Sequence, residues 1–150
     1  MTSEVRSLAQ RRADTTARLE TDVDIWVASA HEGRSHLIPL SFAWDGARII
    51  LATPSDSPTA RNAARSGSVR LGLGSTRDVT IFEAETEVVP CREADEAVAD
   101  CYRSRTRWDP REEEVEHSYL IATPRTARAW RDVPELEGRT ILRSGRWLDA

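Results

Sequence analysis

The residue types best suited to binding chemistry are gathered in one short stretch, residues 53–62, which reads Thr-Pro-Ser-Asp-Ser-Pro-Thr-Ala-Arg-Asn. Ser57 is a favoured N-cap residue and Pro58 a favoured first helical residue, so a helix is predicted to begin there. The unpaired N–H groups of a first helical turn, together with the helix dipole, attract an anion such as a phosphate. The stretch therefore predicts a phosphate site built without a glycine-rich loop.

Two further side chains could complete that site. Thr59 adds a hydroxyl in the first turn, and Arg61 can place a bidentate guanidinium fork on the same phosphate. Asp56 opposes this interpretation, because a carboxylate next to a phosphate is repulsive. The spacing leaves one alternative open, an ordinary capped surface helix with a solvated Arg61.

Other kinds of site find little support in the sequence. His31, His36 and His117 lack the spacing of metal ligands, and neither a Cys/His cluster nor an HExxH motif is present, so no metal site is expected. No GxSxG motif marks a nucleophilic serine. Cys91 and Cys101 flank a predicted helix, on which they would lie about 15 Å apart, and we interpret them as free structural thiols.

Composition narrows the class of protein and its surroundings. A chain of 150 residues fits one domain, and its 39% hydrophobic and 31% charged residues are typical of a folded protein. All 21 basic residues are Arg, but the net charge of −4 gives no basic field that would attract nucleic acid. The sequence has no apolar run that could span a bilayer, and residues 1–20 contain no apolar export signal. A cytoplasmic protein without nucleic-acid or membrane partners is expected.

The elements predicted around the candidate site are short strands and a few helices. Alternating apolar and polar residues predict strands, and Asp45-Gly46 is typical of a hairpin turn. Strands are predicted at residues 23–28, 36–44, 47–53, 69–74, 79–89 and 119–130, the last bent near Pro124, with a closing hairpin at 140–148 and helices at 1–20, 58–66 and 92–105. This pattern predicts the α+β class, a six-stranded antiparallel barrel with peripheral helices, formed by residues 1–150 as a single domain.

The order of these motifs resembles the pyridoxamine 5′-phosphate oxidase-like superfamily, which includes flavin enzymes and deazaflavin-dependent reductases. The resemblance is carried by Leu37-Ile38-Pro39-Leu40-Ser41, Trp44-Asp45-Gly46, Thr53 and the run from Ser57 to Asn62. The segment from Tyr119 to Trp130 and the closing Gly145-Arg146-Trp147 extend it over about residues 15–148. It implies a split β-barrel that forms a homodimer, with the cofactor in a groove between the subunits.

The resemblance also implies which residues hold the cofactor. Its phosphate would be held by Thr53, Ser57, Thr59, Arg61 and Asn62. Relatives commonly have Lys where this chain has Thr59, so one positive charge is missing. Arg77 could supply that charge from the same chain or from the partner, although a solvated surface arginine is the alternative.

Two more segments complete the predicted cofactor site. The main chain at Pro39, Leu40 and Ser41 would run beneath the flavin ring. Trp147 could reach over the partner's cofactor, or it could pack into the dimer interface.

The function implied is that of an oxidoreductase that transfers a hydride between FMN or the deazaflavin F-420 and a small organic substrate. In such a protein the cofactor carries the chemistry, and no catalytic side chain is assigned here. The sequence does not distinguish FMN from F-420. The alternative is a non-catalytic protein that binds or carries a flavin or haem-type cofactor on the same barrel.

Overall fold

Six antiparallel strands form a closed barrel in the computed structural model, which describes residues 4–149. The strands are β1 (Asp24–His31), β2 (Arg34–Trp44), β3 (Ile49–Pro54), β4 (Ser68–Ser75), β5 (Asp78–Pro90) and β6 (His117–Trp130). Their spatial order is β3-β2-β1-β4-β5-β6, and pairing of β3 with β6 closes the barrel. The predicted class, α+β with a six-stranded antiparallel split barrel and peripheral helices, is confirmed.

Three helices and a small hairpin surround the barrel. They are α1 (Leu8–Thr21), α2 (Pro58–Ser66), α3 (Glu96–Thr106) and the hairpin of β7 (Thr140–Arg143) and β8 (Arg146–Trp147), which extends the sheet beside β6. The predicted bend in β6 is present as a register shift, where β5 residues Glu83 and Ala84 pair with Thr126 and Pro124. Among residues 4–149, no helix is both long and apolar enough to cross a membrane.

The strand alternation creates two hydrophobic cores. Residues that face inward, such as Phe42, Leu71 and Phe82, fill the barrel. Outward-facing residues of β3 and β6, including Ile50 and Tyr119, pack beneath α3 in a second cluster. Side chains of successive strand residues point to opposite faces, and the residues from Ile49 to Thr53 are all buried, so both faces of β3 are covered.

The barrel is split because two of its ladders are short. β2 pairs with β3 only over residues 42–44, and β1 pairs with β4 only over residues 26–28. Helix α2 lies at the end of the barrel where these strands diverge, and Asn62 of α2 donates a buried hydrogen bond to Ser29 of β1. Helix α1 packs at the opposite end, where Thr15 and Thr80 share a buried hydrogen bond of 2.8 Å.

The first helix begins later than the sequence predicted. The prediction covered residues 1–20, of which residues 1–3 lie outside the described part, and the helix observed is Leu8–Thr21. Ser7 is its N-cap and accepts a hydrogen bond from the N–H of Gln10. The N–H of Arg6 donates to Glu135, and this contact with a distant loop holds the preceding residues outside the helix.

The third helix is also shorter than the predicted 92–105. Cys91–Glu93 form a separate 3-10 turn, and extended backbone at Ala94 and Asp95 separates it from α3. Cys91 therefore lies outside α3. The predicted separation of the two thiols assumed a single helix, and that assumption is wrong. Both are free thiols, as predicted.

Candidate functional site

Helix α2 and the loop before it are fixed by local sequence and by two distant contacts. Ser57 caps the helix, Pro58 is its first residue, and Gly67 ends it with a φ of 70°, so the predicted helix 58–66 is confirmed. Before the cap, the N–H of Ser55 donates to the carbonyl of Glu116 at 2.9 Å. The hydroxyls of Ser55 and Ser118 are 2.7 Å apart, which ties the loop to the start of β6.

The Ser57 hydroxyl has a free proton at the mouth of α2. Its oxygen accepts hydrogen bonds from the Thr53 hydroxyl at 3.1 Å and from the N–H of Ala60 at 3.2 Å. A hydroxyl has two acceptor lone pairs and one proton, so both lone pairs are used and the proton remains to be donated. Ser57 is half-buried, whereas Thr53 is buried and can influence a ligand only through Ser57.

The main-chain N–H groups contribute less to the mouth than the sequence suggested. Pro58 has no N–H, that of Ala60 donates to the Ser57 hydroxyl, and that of Arg61 donates to the Ser57 carbonyl. A ligand at this position would therefore meet the helix dipole and side chains more than unpaired N–H groups.

Arg61 is the side chain most available to an anion. It is exposed, and within residues 4–149 neither Arg61 nor its neighbour Asp56 takes part in an ion pair. Its guanidinium therefore keeps its donors for a ligand or for water. Asp56 does not cap the helix, because Ser57 does.

Thr59 and Asn62 turn inward in this conformation. Thr59 is fully buried, and its hydroxyl has no hydrogen-bond partner within the part of the chain that the structure describes. The Asn62 side-chain NH2 donates to the Ser29 hydroxyl at 3.1 Å, which anchors α2 to β1. The phosphate contacts that the resemblance implied for these two residues remain predictions.

The edge of β2 presents main-chain groups to the seam with β3. The Phe42 N–H donates to Val23, so the even-numbered residues of β2 turn their N–H and C=O groups toward β1. The odd-numbered Leu37, Pro39 and Ser41 then turn theirs toward the seam. Pro39 lacks an N–H and breaks no ladder there, because an unpaired edge tolerates proline.

The side chains of this segment have separate roles. Pro39 is exposed, and Leu40 is half-buried and packs against the barrel core. The Ser41 hydroxyl donates to Asp24 at 3.0 Å. The predicted contact of this segment with a flavin ring therefore depends on its main chain.

Arg77 and Trp147 lie far from the mouth of α2 within one chain. Arg77 is exposed in the turn between β4 and β5 and is 4.0 Å from Asp132. The 13 residues of β5 span about 40 Å from that turn to Pro90, which pairs with Ser118 near the α2 end. Trp147 is half-buried in β8, with the Arg12 guanidinium 5.5 Å from its ring centre. The roles predicted for both residues would require a second copy of the chain.

Two buried side chains among residues 4–149, Cys91 and Tyr119, have raised pKa values. Burial raises the pKa of the Cys91 thiol to about 12, and burial beside Cys91 raises the pKa of Tyr119 to about 12. Cys91 is therefore protonated near neutral pH and is inert as a nucleophile. Within the described residues, no group of three His, Cys, Asp or Glu side chains could hold a metal ion.

Ser29, Ser55 and Ser118 support this site, and no motif in the sequence indicated them. Ser29 is 33 residues from Asn62, and Ser55 is 63 residues from Ser118. No short motif reports such pairs, because they meet only after the barrel closes.

Comparison with known proteins agrees with the fold. No family model matches the sequence, and no curated protein matches it. Solved structures of pyridoxamine 5′-phosphate oxidase-like proteins share the barrel. An F-420 reductase is 16% identical with a TM-score of 0.60, and the match covers 74% of this chain and 93% of that one. A FAD-binding protein from Mesorhizobium loti is 15% identical with a TM-score of 0.66, over 79% and 90% of the two chains.

A third similar structure is a haem-binding protein from Mycobacterium smegmatis, which is 12% identical with a TM-score of 0.67, over 95% of this chain and 60% of that one. The chain thus has the split-barrel fold of pyridoxamine 5′-phosphate oxidase-like proteins, as its motifs suggested. This fold is used by proteins that bind flavins, deazaflavins and haem. At these identities the similarity establishes the fold alone.

Proposed function

We propose that this chain is a flavin- or deazaflavin-dependent oxidoreductase that transfers a hydride between FMN or F-420 and a small organic substrate. The observation that carries the proposal is a pair of donors at the mouth of α2 that no described residue satisfies, the Ser57 hydroxyl proton and the Arg61 guanidinium. Unsatisfied donors beside a helix N-terminus favour an anionic ligand. The split-barrel fold supports a cofactor phosphate as that anion.

The residues at hand fit the phosphate of such a cofactor. Ser57 and Arg61 would hold it, and the main chain of Pro39 and Ser41 at the seam would position the ring. Bound there, the cofactor would supply the hydride chemistry. The protein's part would be to orient the ring and to limit access of water.

A homodimer with the cofactor between its subunits follows from the same proposal. Arg77 and Trp147 lie at the other end of their own barrel, so only a partner chain could bring them to the mouth of α2. The proposed dimer consists of two single-domain chains of residues 1–150 and works in the cytoplasm on a small-molecule substrate.

A second candidate function is that of a non-catalytic cofactor-binding or carrier protein. The similarity to a haem-binding protein favours it, and so does the absence of an assigned catalytic side chain among the described residues. The two functions share a bound cofactor and differ in turnover.

Titration with FMN and with F-420 tests the anion site. Arg61→Ala should weaken binding of the preferred cofactor by about 10- to 150-fold, which corresponds to the loss of one hydrogen bond to a charged group. Arg65→Ala is the matched control, because Arg65 is exposed in the last turn of the same helix. It should leave the affinity within about twofold. Equal losses in both variants, or no loss in either, would remove Arg61 from the site.

Turnover then separates the two functions. The protein with its preferred cofactor in reduced form is mixed with a panel of quinones and enones, and cofactor oxidation is followed by absorbance. Oxidation that depends on the protein supports the oxidoreductase. Tight binding without oxidation of any acceptor supports the carrier.

A further inference from the structure

Asp56 is an exposed carboxylate directly before the N-cap of α2. It lies in the loop that joins Pro54, the last residue of β3, to Ser57. Among residues 4–149 it takes part in no ion pair, so its charge is not compensated by a described side chain. A negative charge beside a helix N-terminus affects which anions that terminus accepts.

A second carboxylate flanks the same loop. The carbonyl of Glu116 accepts the N–H of Ser55 at 2.9 Å, and the exposed Glu116 side chain forms no ion pair with any described residue. The positive charge closest to the mouth in the sequence is that of Arg61, to which the helix dipole adds about half an elementary charge. Arg65 lies one turn further along α2, away from the mouth. The mouth therefore offers donors to an anion without an excess of positive charge.

The third polar side chain at the start of α2 is uncharged. Thr59 is fully buried, and its hydroxyl is without a partner among residues 4–149. Helical side chains tilt toward the N-terminus of their helix, so this hydroxyl lies beneath the mouth. A rotation of the side chain would let it donate a hydrogen bond to a ligand, but it adds no charge.

The arginine that the proposed dimer would add does not change this balance. Arg77 lies 4.0 Å from Asp132 in its own chain. A partner that presents Arg77 to the mouth of α2 would therefore present a carboxylate with it. The excess of positive charge that a doubly charged anion requires is not supplied in this way.

Phosphates differ in the charge that such a mouth must accept. A phosphate monoester carries close to two negative charges above neutral pH and has three terminal oxygens. A phosphodiester carries one negative charge and has two terminal oxygens. Repulsion by a fixed carboxylate is proportional to the charge of the ligand, so Asp56 opposes a monoester about twice as strongly as a diester.

We propose that Asp56 is a specificity-determining residue, which makes the mouth of α2 select a phosphodiester over a phosphate monoester. The Ser57 hydroxyl proton and the Arg61 guanidinium supply donors for the two terminal oxygens of a diester. F-420 carries a phosphodiester and FMN carries a monoester. The inference rests on the proposed function, and among the cofactors of that function it favours F-420.

Two flavins that differ by one methyl group test the selectivity. FMN and its monomethyl phosphate ester share the ring and the ribityl chain, and at about pH 8 they differ by one negative charge on the phosphate. We expect the original chain to bind the ester about 5- to 10-fold more tightly than FMN in a fluorescence titration at low ionic strength. Riboflavin, which lacks the phosphate, is the reference for binding of the ring. If the protein binds no flavin, the 5′-phosphate of the F-420 chromophore and its monomethyl ester replace this pair.

Asp56→Asn removes the charge and keeps the size of the side chain. It should strengthen the binding of FMN by about tenfold and that of the ester by about threefold, and leave that of riboflavin within about twofold. Glu137→Gln is the matched control, because Glu137 is exposed near the α1 end and forms no ion pair in the described part of the chain. It should keep the preference of the original chain.

The outcomes separate this inference from the proposed function. FMN that binds as tightly as its ester would overturn the selectivity alone, and so would an Asp56→Asn chain in which both affinities change equally or not at all. Phosphate-bearing ligands that bind no more tightly than the ring alone, or affinities that Arg61→Ala does not change, would overturn both proposals. A preference for the ester that Asp56→Asn removes, in a protein that oxidises no acceptor, would support the selectivity and overturn the oxidoreductase.

Discussion

Helix α1 meets its end of the barrel through paired charges, whereas helix α2 at the other end carries donors without a partner in the described part of the chain. The Arg6 guanidinium contacts Glu135 at 2.7 Å and Asp14 at 3.0 Å, and Arg18 contacts Asp78 at 2.6 Å. Arg11 is buried and donates to the carbonyls of Ala129 and Glu135. Polar groups at the α1 end thus find partners within the chain.

At the α2 end the contacts are neutral and incomplete. Asn62 is paired with Ser29, but among residues 4–149 Arg61 has no ion pair and the buried Thr59 hydroxyl has no partner. A buried polar group without a partner costs stability. The comparison teaches that the α1 end is organised for stability, while the α2 end retains the donors that a ligand would satisfy.

The largest expected effect comes from breaking the charge network at the α1 end. Glu135 accepts hydrogen bonds from the N–H and side chain of Arg6 and from the N–H of Arg131. Glu135→Ala would leave Arg6 buried without its main partner, and we expect the free energy of unfolding in urea to fall by about 3–5 kcal/mol.

Asp56→Ala removes a carboxylate at the α2 end and is the matched control for Glu135→Ala. Asp56 is exposed and forms no ion pair with any described residue, so its loss should change the free energy of unfolding by less than about 0.5 kcal/mol. Similar costs for the two substitutions would show that the ends do not differ.

Acid should weaken the α1 end in a defined range. Hydrogen bonds from Arg6 lower the pKa of Glu135 to about 2, from an ordinary value of 4.5. A lowered pKa stabilises the folded state above pH 4.5, and this contribution is lost as the pH falls toward 2. Denaturation across that range should show a loss of about 3 kcal/mol from this group. Glu135→Gln should remove that part of the pH dependence, and a profile that does not change would contradict the assignment.

The two N-caps offer a smaller, matched comparison. Ser7 and Ser57 each accept a hydrogen bond from the third residue of their helix. Ser7→Ala and Ser57→Ala should each cost about 1 kcal/mol of unfolding free energy. Only Ser57→Ala should also weaken the binding of FMN or F-420, by about tenfold in a titration, because the free proton of the Ser57 hydroxyl would be lost. Equal cofactor affinity in both variants would exclude Ser57 as a ligand.

The smallest expected effect is an increase in stability. Thr59→Val removes a buried hydroxyl without a partner among the described residues and should raise the free energy of unfolding by up to about 1 kcal/mol. Thr15→Val at the α1 end should lower it by about 1–2 kcal/mol, because Thr80 would lose its partner. If Thr59→Val instead weakens cofactor binding, the hydroxyl turns toward the ligand, as the family resemblance implied.

The sequence by itself determined the elements whose signals are local. Ser57-Pro58 and Gly67 set the limits of α2, because capping and a left-handed residue act within one turn. Asp45-Gly46 set the hairpin, since the Asp45 carboxylate accepts the N–H groups of the next turn residues. Strand alternation gave the barrel, and the stretch from Thr53 to Arg61 indicated the candidate site.

Tertiary structure decided which polar groups at the two ends of the barrel have partners. Arg6 meets Glu135 across 129 residues, and this contact delays the start of α1. Thr59 is buried in the folded chain, and the length of β5 places Arg77 at the end of the barrel opposite the mouth of α2. Such pairings depend on how the closed barrel brings distant strands together. The spacing of residues within one segment does not indicate which distant residues they will contact.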